Sequence, residues 1–398
     1  MKTFTDFNLH LYTDIVYGKD KEKMAGELVK KHGGKKVMLV YGGGSIKKMG
    51  LYDTVVSSLK DAGLEIVELP GVQPNPRRSL VQKGIELAKA EGVDFLLAVG
   101  GGSTLDTAKA IACAVKFGDN WWDMFSKGAV CTDRLGVGSI HTISAAGSES
   151  STSMVVVDDV ERIGQKCSNP SACLRPDFAI MNPELTYSVS KYQTASGAAD
   201  IFAHTLERYF YNSDCALGDE FAAGLLRTVV KYGPIACEDP NNYEARGELM
   251  LCATFSHNDI TGIGHSGVRG GPHGLESIIS GTYDTAHGAG LAVVMPAWLR
   301  YVADFSDKGC ARVAKLAIEV FGVTPDLADL KSVAYEGIER FKSWLKRIGM
   351  PLTLTELGVE NADIDLFIER GRFNADGLFV GYVTMTKDQM RKFYEGIL

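Results

Sequence analysis

Four residues in the second half of this 398-residue chain have the types and spacing that suit a metal ion. Asp200 and His204 stand one turn apart in the helix-favouring segment 195–208, so their side chains project from one helical face. His273 and His287 follow in a glycine-rich stretch and could reach back to that pair. One carboxylate and three neutral imidazoles suit Fe²⁺ or Zn²⁺. The pattern therefore indicates a divalent metal site.

Other interpretations of these residues remain open at the level of sequence. Each of the four, taken alone, is more often a packed or surface polar group than a metal ligand. His257 and His265 are rival ligands, although Gly262 and Gly264 between them make a shared helical face less favourable. One sequence does not show that the four side chains converge in space.

Two glycine-rich segments in the first half of the chain each follow a predicted strand. Gly100–Ser103 opens a helix, where backbone N–H groups and the helix dipole favour an anion. The missing side chains also let a pyrophosphate approach the backbone closely. Gly42–Ser45 repeats this arrangement and is followed by Lys47 and Lys48. The geometry is that of a nucleotide site, although neither standard nucleotide motif is present.

Each glycine-rich segment also has an interpretation that needs no ligand. A capping box, with Ser103 as the N-cap and Asp106 at N3, would explain the second segment. Solvated surface lysines would explain the first. An acid at the end of the first strand would bind a ribose 2′-hydroxyl, whereas its absence beside Ser45 and Lys47 suits a 2′-phosphate.

Two different patterns of apolar residues position these candidates. Through residue 185, short apolar strands alternate with helices, which predicts an α/β domain with a mainly parallel sheet over 1–185. Apolar residues at helical spacing predict an all-helical domain over 186–398, with a cleft between the two domains. The predicted strands are 36–41, 64–69 and 94–99. The predicted helices are 45–62, 79–91, 103–117, 192–211, 219–232, 243–259, 288–305, 312–321 and 329–349.

The composition excludes several classes of protein. With 42 Lys and Arg against 49 Asp and Glu, the net charge of −7 gives no bulk attraction to nucleic acid or anionic lipid. No apolar run reaches the roughly 18–20 residues that span a bilayer, and the first residues lack the apolar stretch of a signal peptide. The 8 cysteines include no C-x-x-C pair, which favours reduced thiols. We expect a cytoplasmic protein without nucleic-acid or membrane partners.

Taken in order, the motifs make the chain similar to a known family. The chain resembles the iron-containing (group III) alcohol dehydrogenases, specifically the butanol dehydrogenase and NADPH-dependent aldehyde reductase branch. Each motif alone is weakly specific, but the ordered combination spans essentially the whole chain and is highly specific. The segments that carry the resemblance are Asn8–Gly18, Gly42–Lys48, Gln73–Arg77, Gly100–Lys109, Gly147–Glu149, Asp200 with His204, and Tyr283–Ala292.

The resemblance implies a fold, a reaction and a set of site residues. It implies a Rossmann-like dinucleotide-binding domain, a helical domain of dehydroquinate synthase-like architecture, and a homodimer. The family's metal ligands fall on Asp200, His204, His273 and His287, and catalysis through Fe²⁺ or Zn²⁺ would polarise a carbonyl while the nicotinamide delivers hydride. The implied cofactor contacts are Gly42, Gly43, Gly44, Ser45, Asn75, Gly101, Gly102, Ser103, Asp106, Thr142, Ser144, Ser151 and Lys166.

The expected activity is the interconversion of a primary alcohol and an aldehyde, such as butanol and butanal, with NADP(H). Gly42 stands where NAD-preferring members carry an acid, so we expect NADP(H) over NAD(H), with NAD as the alternative. A related polyol dehydrogenase and a non-enzymatic nucleotide- and metal-binding protein are the other candidates.

The chain departs from the family pattern at a few positions. Ser277 replaces a frequent histidine that has been proposed to relay protons. Ala146 replaces a threonine, and Asn182 replaces an acid. None of these changes touches the four proposed ligands. Trp121 and Trp122 either form part of a substrate wall or pack as core or interface aromatics.

Overall fold

The computed structural model describes residues 5–211, 215–265 and 270–398. The chain forms two compact units. One unit comprises residues 10–189, and the other comprises residues 190–398 together with the chain up to Leu9. We call them the sheet unit and the helical unit.

The sheet unit is built on parallel strands. Its strands are β1 (Asp14–Tyr17), β2 (Lys36–Tyr41), β3 (Glu65–Leu69), β4 (Phe95–Gly100), β5 (Gly136–His141), β6 (Ser153–Asp158), β7 (Gln165–Pro170) and β8 (Phe178–Met181). Six of them form one sheet in the order β1-β8-β5-β4-β2-β3, and every pairing in it is parallel. Strands β6 and β7 form a separate antiparallel pair. The three strands that the sequence predicts are confirmed as β2, β3 and β4.

Helices cover both faces of this sheet, so its inner strands are continuous apolar runs. The helices of the sheet unit are α1 (Ala25–Lys31), α2 (Ser45–Lys48), α3 (Leu51–Asp61), α4 (Arg78–Glu91), α5 (Gly102–Phe117) and α6 (Asp123–Ser126). In β2 and β4, side chains on both faces are buried, as expected for a parallel sheet. The single helix predicted for 45–62 is wrong in detail. It is interrupted at Gly50, whose φ of 76° lies in the left-handed region.

The parallel order brings three loops to one edge of the sheet. Strand β4 pairs with β2 on one side and with β5 on the other. The carboxyl ends of parallel neighbours lie at the same edge, which is where open α/β sheets bind ligands. The segments Gly42–Ser45, Gly100–Ser103 and Thr142–Ser144 follow β2, β4 and β5 at that edge.

The helical unit is dominated by long helices. They are α7 (Lys191–Tyr209), α8 (Ala216–Glu238), α9 (Tyr243–Ser256), α10 (Pro272–Tyr283), α11 (His287–Phe305), α12 (Asp307–Phe321), α13 (Leu330–Arg347), α14 (Ile364–Glu369) and α15 (Lys387–Glu395). The six helices predicted from apolar spacing are confirmed as α7, α8, α9, α11, α12 and α13. The pattern did not predict α10, α14 or α15. Among the described residues, no helix has both the length and the apolar character needed to cross a bilayer.

A small antiparallel pair interrupts the helical pattern near the end of the chain. Strands β9 (Leu378–Phe379) and β10 (Met385–Thr386) pair with each other. The sequence predicts an all-helical unit, and this pair of strands is an exception to that prediction. Strands of two residues are too short to show an alternating pattern in the sequence. The fold class, a parallel α/β unit followed by a helical region, is confirmed.

The core of the helical unit surrounds α7. Phe202 is fully buried, and its ring stacks on Phe341 with a centroid distance of 4.5 Å. Helix α11 approaches closely because it carries glycines near its start. A Cβ on Gly288 would lie 1.9 Å from the carbonyl oxygen of Ser196, so only glycine allows this contact. The first turn of α11 is thereby held against α7.

Candidate functional site

Three helices of the helical unit bring the four predicted ligands together. Asp200 and His204 lie one turn apart on α7, and both are buried. His273 is in the first turn of α10, directly after Pro272, and His287 is the first residue of α11. Two helix starts therefore present imidazoles to the buried middle of a third helix.

The side chains of the three histidines converge on one carboxylate oxygen of Asp200. Asp200 Oδ1 lies 3.4 Å from His204 Nε2, 3.5 Å from His273 Nε2 and 3.9 Å from His287 Nε2. Ligand-capable atoms of Asp200, His204 and His273 all lie within 4.8 Å of one another. His287 completes the set through its distance to Asp200 and a ring centroid separation of 5.3 Å from His273. The arrangement offers one oxygen and three nitrogens to a single point.

This donor set fits a divalent cation. Asp200 Oδ1 is buried, and among the described residues no group donates a hydrogen bond of good geometry to it. A buried carboxylate oxygen normally has a donor or an ion as its partner. One carboxylate and three imidazoles are ligands that Fe²⁺ and Zn²⁺ accept.

Two glutamates, the half-buried Glu207 and the buried Glu276, contact the histidines on the side away from Asp200. His273 Nδ1 lies 3.1 Å from Glu207 Oε1, and the backbone N–H of His273 donates to the same oxygen at 2.7 Å. His287 Nδ1 contacts Glu276, whose side chain is fully buried. An acceptor at Nδ1 fixes the tautomer that leaves the Nε2 lone pair free for a cation.

Sequence analysis did not identify either glutamate as functional. Helical spacing was the available signal, because Glu207 follows His204 by about one turn and Glu276 follows His273 likewise. For Glu276 that signal required α10 to be recognised as a helix, whereas Glu207 lies on α7, which the sequence predicts. Ser277, which replaces the frequent family histidine, donates its hydroxyl proton to the carbonyl oxygen of Gly274 at 3.3 Å.

The protonation of the histidines differs because their surroundings differ. Burial, followed by the neighbouring His257 and His273, lowers the pKa of His204 well below its ordinary value. Burial alone would also lower the pKa of His273, but Glu207 and Asp200 outweigh it and raise the pKa to about 10. His204 is thus neutral, as a ligand must be, whereas a cation would displace a proton from His273.

The two rival histidines have different positions. The ring of His257 stacks on that of His204 with a centroid distance of 4.1 Å. It therefore lies beside Asp200, His204, His273 and His287, which together we call the metal centre. Like His287, it lies outside the group of ligand-capable atoms within 4.8 Å that Asp200, His204 and His273 form. His265 Nε2 lies 3.4 Å from Asp219 Oδ1, on a different carboxylate. The structure therefore places His265 on a different carboxylate, whereas His257 lies beside the predicted ligands.

In the sheet unit, the loop Gly100–Ser103 begins α5, and we call it the phosphate loop. The helix starts at Gly102 with Gly101 as its N-cap, and no side chain caps it. The capping box considered for Ser103 and Asp106 is therefore wrong. Ser103 Oγ instead accepts a hydrogen bond from the N–H of Asn75 at 3.2 Å.

A buried lysine, which sequence analysis did not single out, ties α5 to the segment after β5. The side chain of Lys109 is fully buried, and its ammonium group lies 2.7–3.3 Å from oxygens of Ser148, Ser151 and Ser153. Asp106 accepts from the hydroxyl of Ser148 at 2.6 Å and from a backbone N–H at 2.9 Å. Burial lowers the pKa of Lys109 to about 8.

The remaining predicted cofactor contacts are spread along the sheet edge and below it. The N–H of Thr142 donates to the carbonyl oxygen of Gly100 at 3.1 Å, and Ser144 follows in the same segment. Ser151 is buried among the oxygens that surround Lys109. Lys166 lies on β7. Their contacts with a cofactor stay predictions.

The first glycine segment carries a positively charged side chain in a fixed place. A Cβ on Gly43 or Gly44 would meet no atom within 4 Å, so the backbone there is open to a ligand. The ammonium group of Lys47 lies 4.5 Å from the ring centroid of Tyr52 and 5.2 Å from that of Tyr41. The loop therefore has an accessible backbone beside the positively charged ammonium group of Lys47.

The adjacent tryptophans are packed in the core of the sheet unit. Trp121 is buried, and its indole N–H donates to Gln82 Oε1 at 2.7 Å. Trp122 stacks on Phe125 with a centroid distance of 5.0 Å, and the guanidinium of Arg78 covers its ring at 4.3 Å. These contacts favour the interpretation as core aromatics over a substrate wall.

Comparisons with known proteins agree with this geometry. Residues 13–183 match the model of the iron-containing alcohol dehydrogenases, and residues 194–398 match that of the C-terminal region of the Fe-containing alcohol dehydrogenase family. NADH-dependent butanol dehydrogenase A of Clostridium acetobutylicum is 36% identical over 93% of this chain and 94% of its own length. The NADPH-dependent aldehyde reductase YqhD of Escherichia coli is 31% identical over 98% and 99%.

A solved structure extends the comparison to three dimensions. The crystal structure of NADH-dependent butanol dehydrogenase A from Thermotoga maritima superposes with a TM-score of 0.93 at 35% sequence identity. The match covers 99% of this chain and 99% of that one. The matches span both the sheet unit and the helical unit that carries the four metal-ligand candidates. The chain therefore belongs to the iron-containing alcohol dehydrogenase family of oxidoreductases.

Proposed function

We propose that the protein is a metal-dependent, NADP-linked alcohol dehydrogenase and aldehyde reductase. It transfers hydride between NADP(H) and a primary alcohol or aldehyde such as butanol or butanal. The observation that carries this proposal is the convergence of three imidazole nitrogens on the buried Asp200 Oδ1. Membership of the family indicates the class of reaction. The donor atoms of Asp200 and the three histidines offer a binding site for the metal ion.

The residues of the chain have separate tasks in this proposal. Asp200, His204, His273 and His287 hold the cation, either Fe²⁺ or Zn²⁺. When bound, such a cation acts as a Lewis acid that draws electron density from a carbonyl group. Glu207 and Glu276 keep the Nδ1 atoms of two histidines occupied, so that the Nε2 atoms face Asp200.

The phosphate loop binds the pyrophosphate of the cofactor in this proposal. The first N–H groups of α5 have no partner within the helix, and the positive end of the helix dipole lies there. Gly102 leaves the approach open, because a Cβ on it would meet only Ala146, at 3.9 Å. Lys109 and Asp106 fix the helix to the segment after β5 and so hold the loop in position.

We propose NADPH rather than NADH as the preferred cofactor. Gly42 leaves no acid at the end of β2, and Lys47 places a positive charge on the adjoining helix. A 2′-phosphate needs such a charge, whereas a ribose 2′-hydroxyl is better bound by a carboxylate. The related proteins use either cofactor, since the clostridial relative is named NADH-dependent and the E. coli one NADPH-dependent.

The proposal is tested by assays on anaerobically purified protein. The protein, loaded with Fe²⁺ or Zn²⁺, is mixed with butanal and with NADPH or NADH at equal concentration, and cofactor oxidation is followed. Reduction of butanal at a rate that falls to background after chelation supports the metal-dependent reaction. No turnover with either metal would refute it, and faster turnover with NADH would refute the cofactor preference.

A substrate panel separates the two enzyme candidates. Aldehydes of increasing length and glycerol-type polyols are compared by kcat/KM. We expect the simple aldehydes to be preferred, and a preference for polyols would assign the chain to the related dehydrogenases instead. We further propose a cytoplasmic homodimer, which light scattering on the purified protein and fractionation of cells would test.

A further inference from the structure

Three cysteines from distant parts of the sequence meet in the interior of the sheet unit. Cys113 lies on α5, Cys131 on the loop after α6, and Cys173 in a short 3₁₀ helix, Ala172–Leu174, before β8. Their three sulfur atoms all lie within 4.8 Å of one another. We call these residues the thiol cluster.

Two members of the thiol cluster are buried, Cys173 is partly exposed, and hydrogen bonds hold the cluster. Cys113 is fully buried, and only 3% of Cys131 is exposed. The thiol of Cys131 donates to the carbonyl oxygen of Asp133 at 2.9 Å, and that of Cys173 donates to the carbonyl oxygen of Cys131 at 3.1 Å. These contacts hold both side chains in place while the thiols are protonated.

The backbone around the cluster is fixed as well. Ser171 Oγ accepts a hydrogen bond from the N–H of Cys131 at 3.1 Å. Arg134 donates to the carbonyl oxygen of Cys173 at 2.6 Å, and its guanidinium pairs with Asp177. The two segments that carry Cys131 and Cys173 are thereby held close together before any ligand binds. Such preorganisation lowers the cost of binding a small ligand.

The chemistry of the cluster differs from that of the metal centre. Three sulfurs are soft ligands, whereas the metal centre offers one oxygen and three nitrogens. Among the described residues, the group that contains these sulfurs includes no fourth His, Cys, Asp or Glu atom. Three-coordinate sulfur suits copper(I), while structural zinc sites normally have four protein ligands.

We propose that the thiol cluster is a second metal site, which binds one soft, thiophilic d¹⁰ cation through three sulfurs. Copper(I) is the cation that best matches a three-coordinate sulfur site. Binding forms metal–sulfur bonds, and each thiol that becomes a ligand releases its proton to solvent. The copper stays in the +1 state, so no oxidant or reductant is required. This site is separate from the ligands of the proposed alcohol dehydrogenase reaction.

The test is an anaerobic copper(I) competition on the full chain. Reduced protein, with its metal centre first filled with Zn²⁺, is titrated with copper(I) buffered by a chromogenic chelator. We expect one copper(I) per chain and the luminescence of a copper–thiolate site that is shielded from water. Failure of the wild-type protein to compete with the chelator would overturn the proposal, as would binding of Zn²⁺ but not copper(I).

Substitutions localise the site. Cys131→Ser and Cys173→Ser each remove one sulfur, and we expect copper(I) affinity to fall by about a hundredfold or more. Cys167→Ser is the matched control, because Cys167 is buried in the same unit and lies outside the cluster. Unchanged affinity in both cluster variants would overturn the proposal. Folding is checked by circular dichroism, and the wild-type titration decides the matter independently of any variant.

Two further results distinguish copper(I) binding by the thiol cluster from disulfide formation and from metal binding at the metal centre. His273→Ala should lose the zinc of the metal centre and keep its copper(I), so failure of the alcohol dehydrogenase proposal leaves this result unaffected. If mild oxidation removes two free thiols per chain and reduced protein takes up no copper(I), the cluster is a disulfide-forming site and the proposal is wrong.

Discussion

The metal centre and the phosphate loop are held in place by different means. In the metal centre, the buried Asp200 Oδ1 faces three imidazole nitrogens, and no described group donates to it a hydrogen bond of good geometry. Beside the phosphate loop, the buried Lys109 and its oxygen partners satisfy one another within the fold. The metal centre therefore leaves a buried oxygen available to a cation, whereas the polar groups around Lys109 are satisfied within the fold.

Because of this difference, we expect substitutions in the two regions to change different properties of the protein. Substitutions in the metal centre should change metal retention and turnover. In that site a bound cation would offset the negative charge of the buried Asp200 carboxylate. Substitutions in the network of Lys109 should change the free energy of unfolding, because they leave buried polar groups without partners. Each of the following experiments can break or sharpen this distinction.

The largest effect is expected for His273→Ala. Loss of one ligand should weaken metal affinity by more than the roughly 10–100-fold typical of outer-shell changes, and it should abolish turnover. The fold and NADPH binding should be largely retained, since the phosphate loop belongs to the sheet unit. Metal analysis, butanal reduction and NADPH titration check these outcomes. Full activity in a metal-free preparation of this variant would reject the metal centre.

Lys109→Met should destabilise the sheet unit. Leaving several oxygens of Ser148, Ser151 and Ser153 without their buried donor costs about 3 kcal/mol in the free energy of unfolding. Metal affinity should not change. Denaturant unfolding checks the prediction, and Lys116→Met is the matched control. Lys116 is on the same helix but makes only an exposed ion pair with Asp133, worth at most about 1 kcal/mol. Equal stability of the two variants would contradict the distinction.

Glu276→Leu should lower metal affinity while the overall fold persists. The substitution removes the acceptor at His287 Nδ1, and such outer-shell changes cost about 10–100-fold in metal affinity. Glu276→Gln keeps an acceptor oxygen and should recover most of that loss. Asp219→Asn is the control, since this buried carboxylate binds Arg312 and Lys315 away from the metal centre. A loss of metal as large in the control would argue for a merely structural role.

The Lys109 network should also give stability a dependence on pH. Because burial lowers the pKa of Lys109 to about 8, the folded chain holds this proton less tightly than the unfolded chain, whose value is near 10.5. The charged lysine therefore opposes folding below about pH 8. This cost, about 3 kcal/mol, is removed as the pH rises toward 10.5.

The free energy of unfolding of wild-type protein should accordingly rise relative to that of Lys109→Met between pH 8 and 10.5. Parallel denaturant titrations of the two proteins check this sign. Other groups titrate in the same range, and the comparison cancels their contributions. A falling difference over this window would mean that burial does not govern this lysine.

The smallest effect is expected for Lys47→Ala. The side chain is exposed, so its contact with a 2′-phosphate should be worth about 1 kcal/mol, or roughly fivefold in NADPH affinity. Affinity for NADH and for the metal should stay the same. Lys60→Ala, an exposed lysine on α3, is the control. Equal losses for NADPH and NADH would remove Lys47 as the basis of the proposed preference.

The sequence predicted those features that depend on local pattern. Strands β2, β3 and β4 and the six long helices have strong apolar periodicity, and the structure confirms them. The family was recognised because its motifs occur in order. Helix α10 was missed, because glycine and proline around its start weaken the helical signal in Gly270–Gly274. The contact of Glu276 with His287 was therefore missed, and the contact of Glu207 with His273 was missed because it joins two helices.

The sequence by itself determined which residues could bind a metal, since residue type fixes the chemistry of each ligand and helical spacing places Asp200 beside His204. Only the tertiary structure decided that His273 and His287, rather than His265, face Asp200. It also decided that Lys109 is buried and that three separated cysteines share one point. Such contacts join residues far apart in the chain, and local periodicity carries no information about which distant helix packs against which.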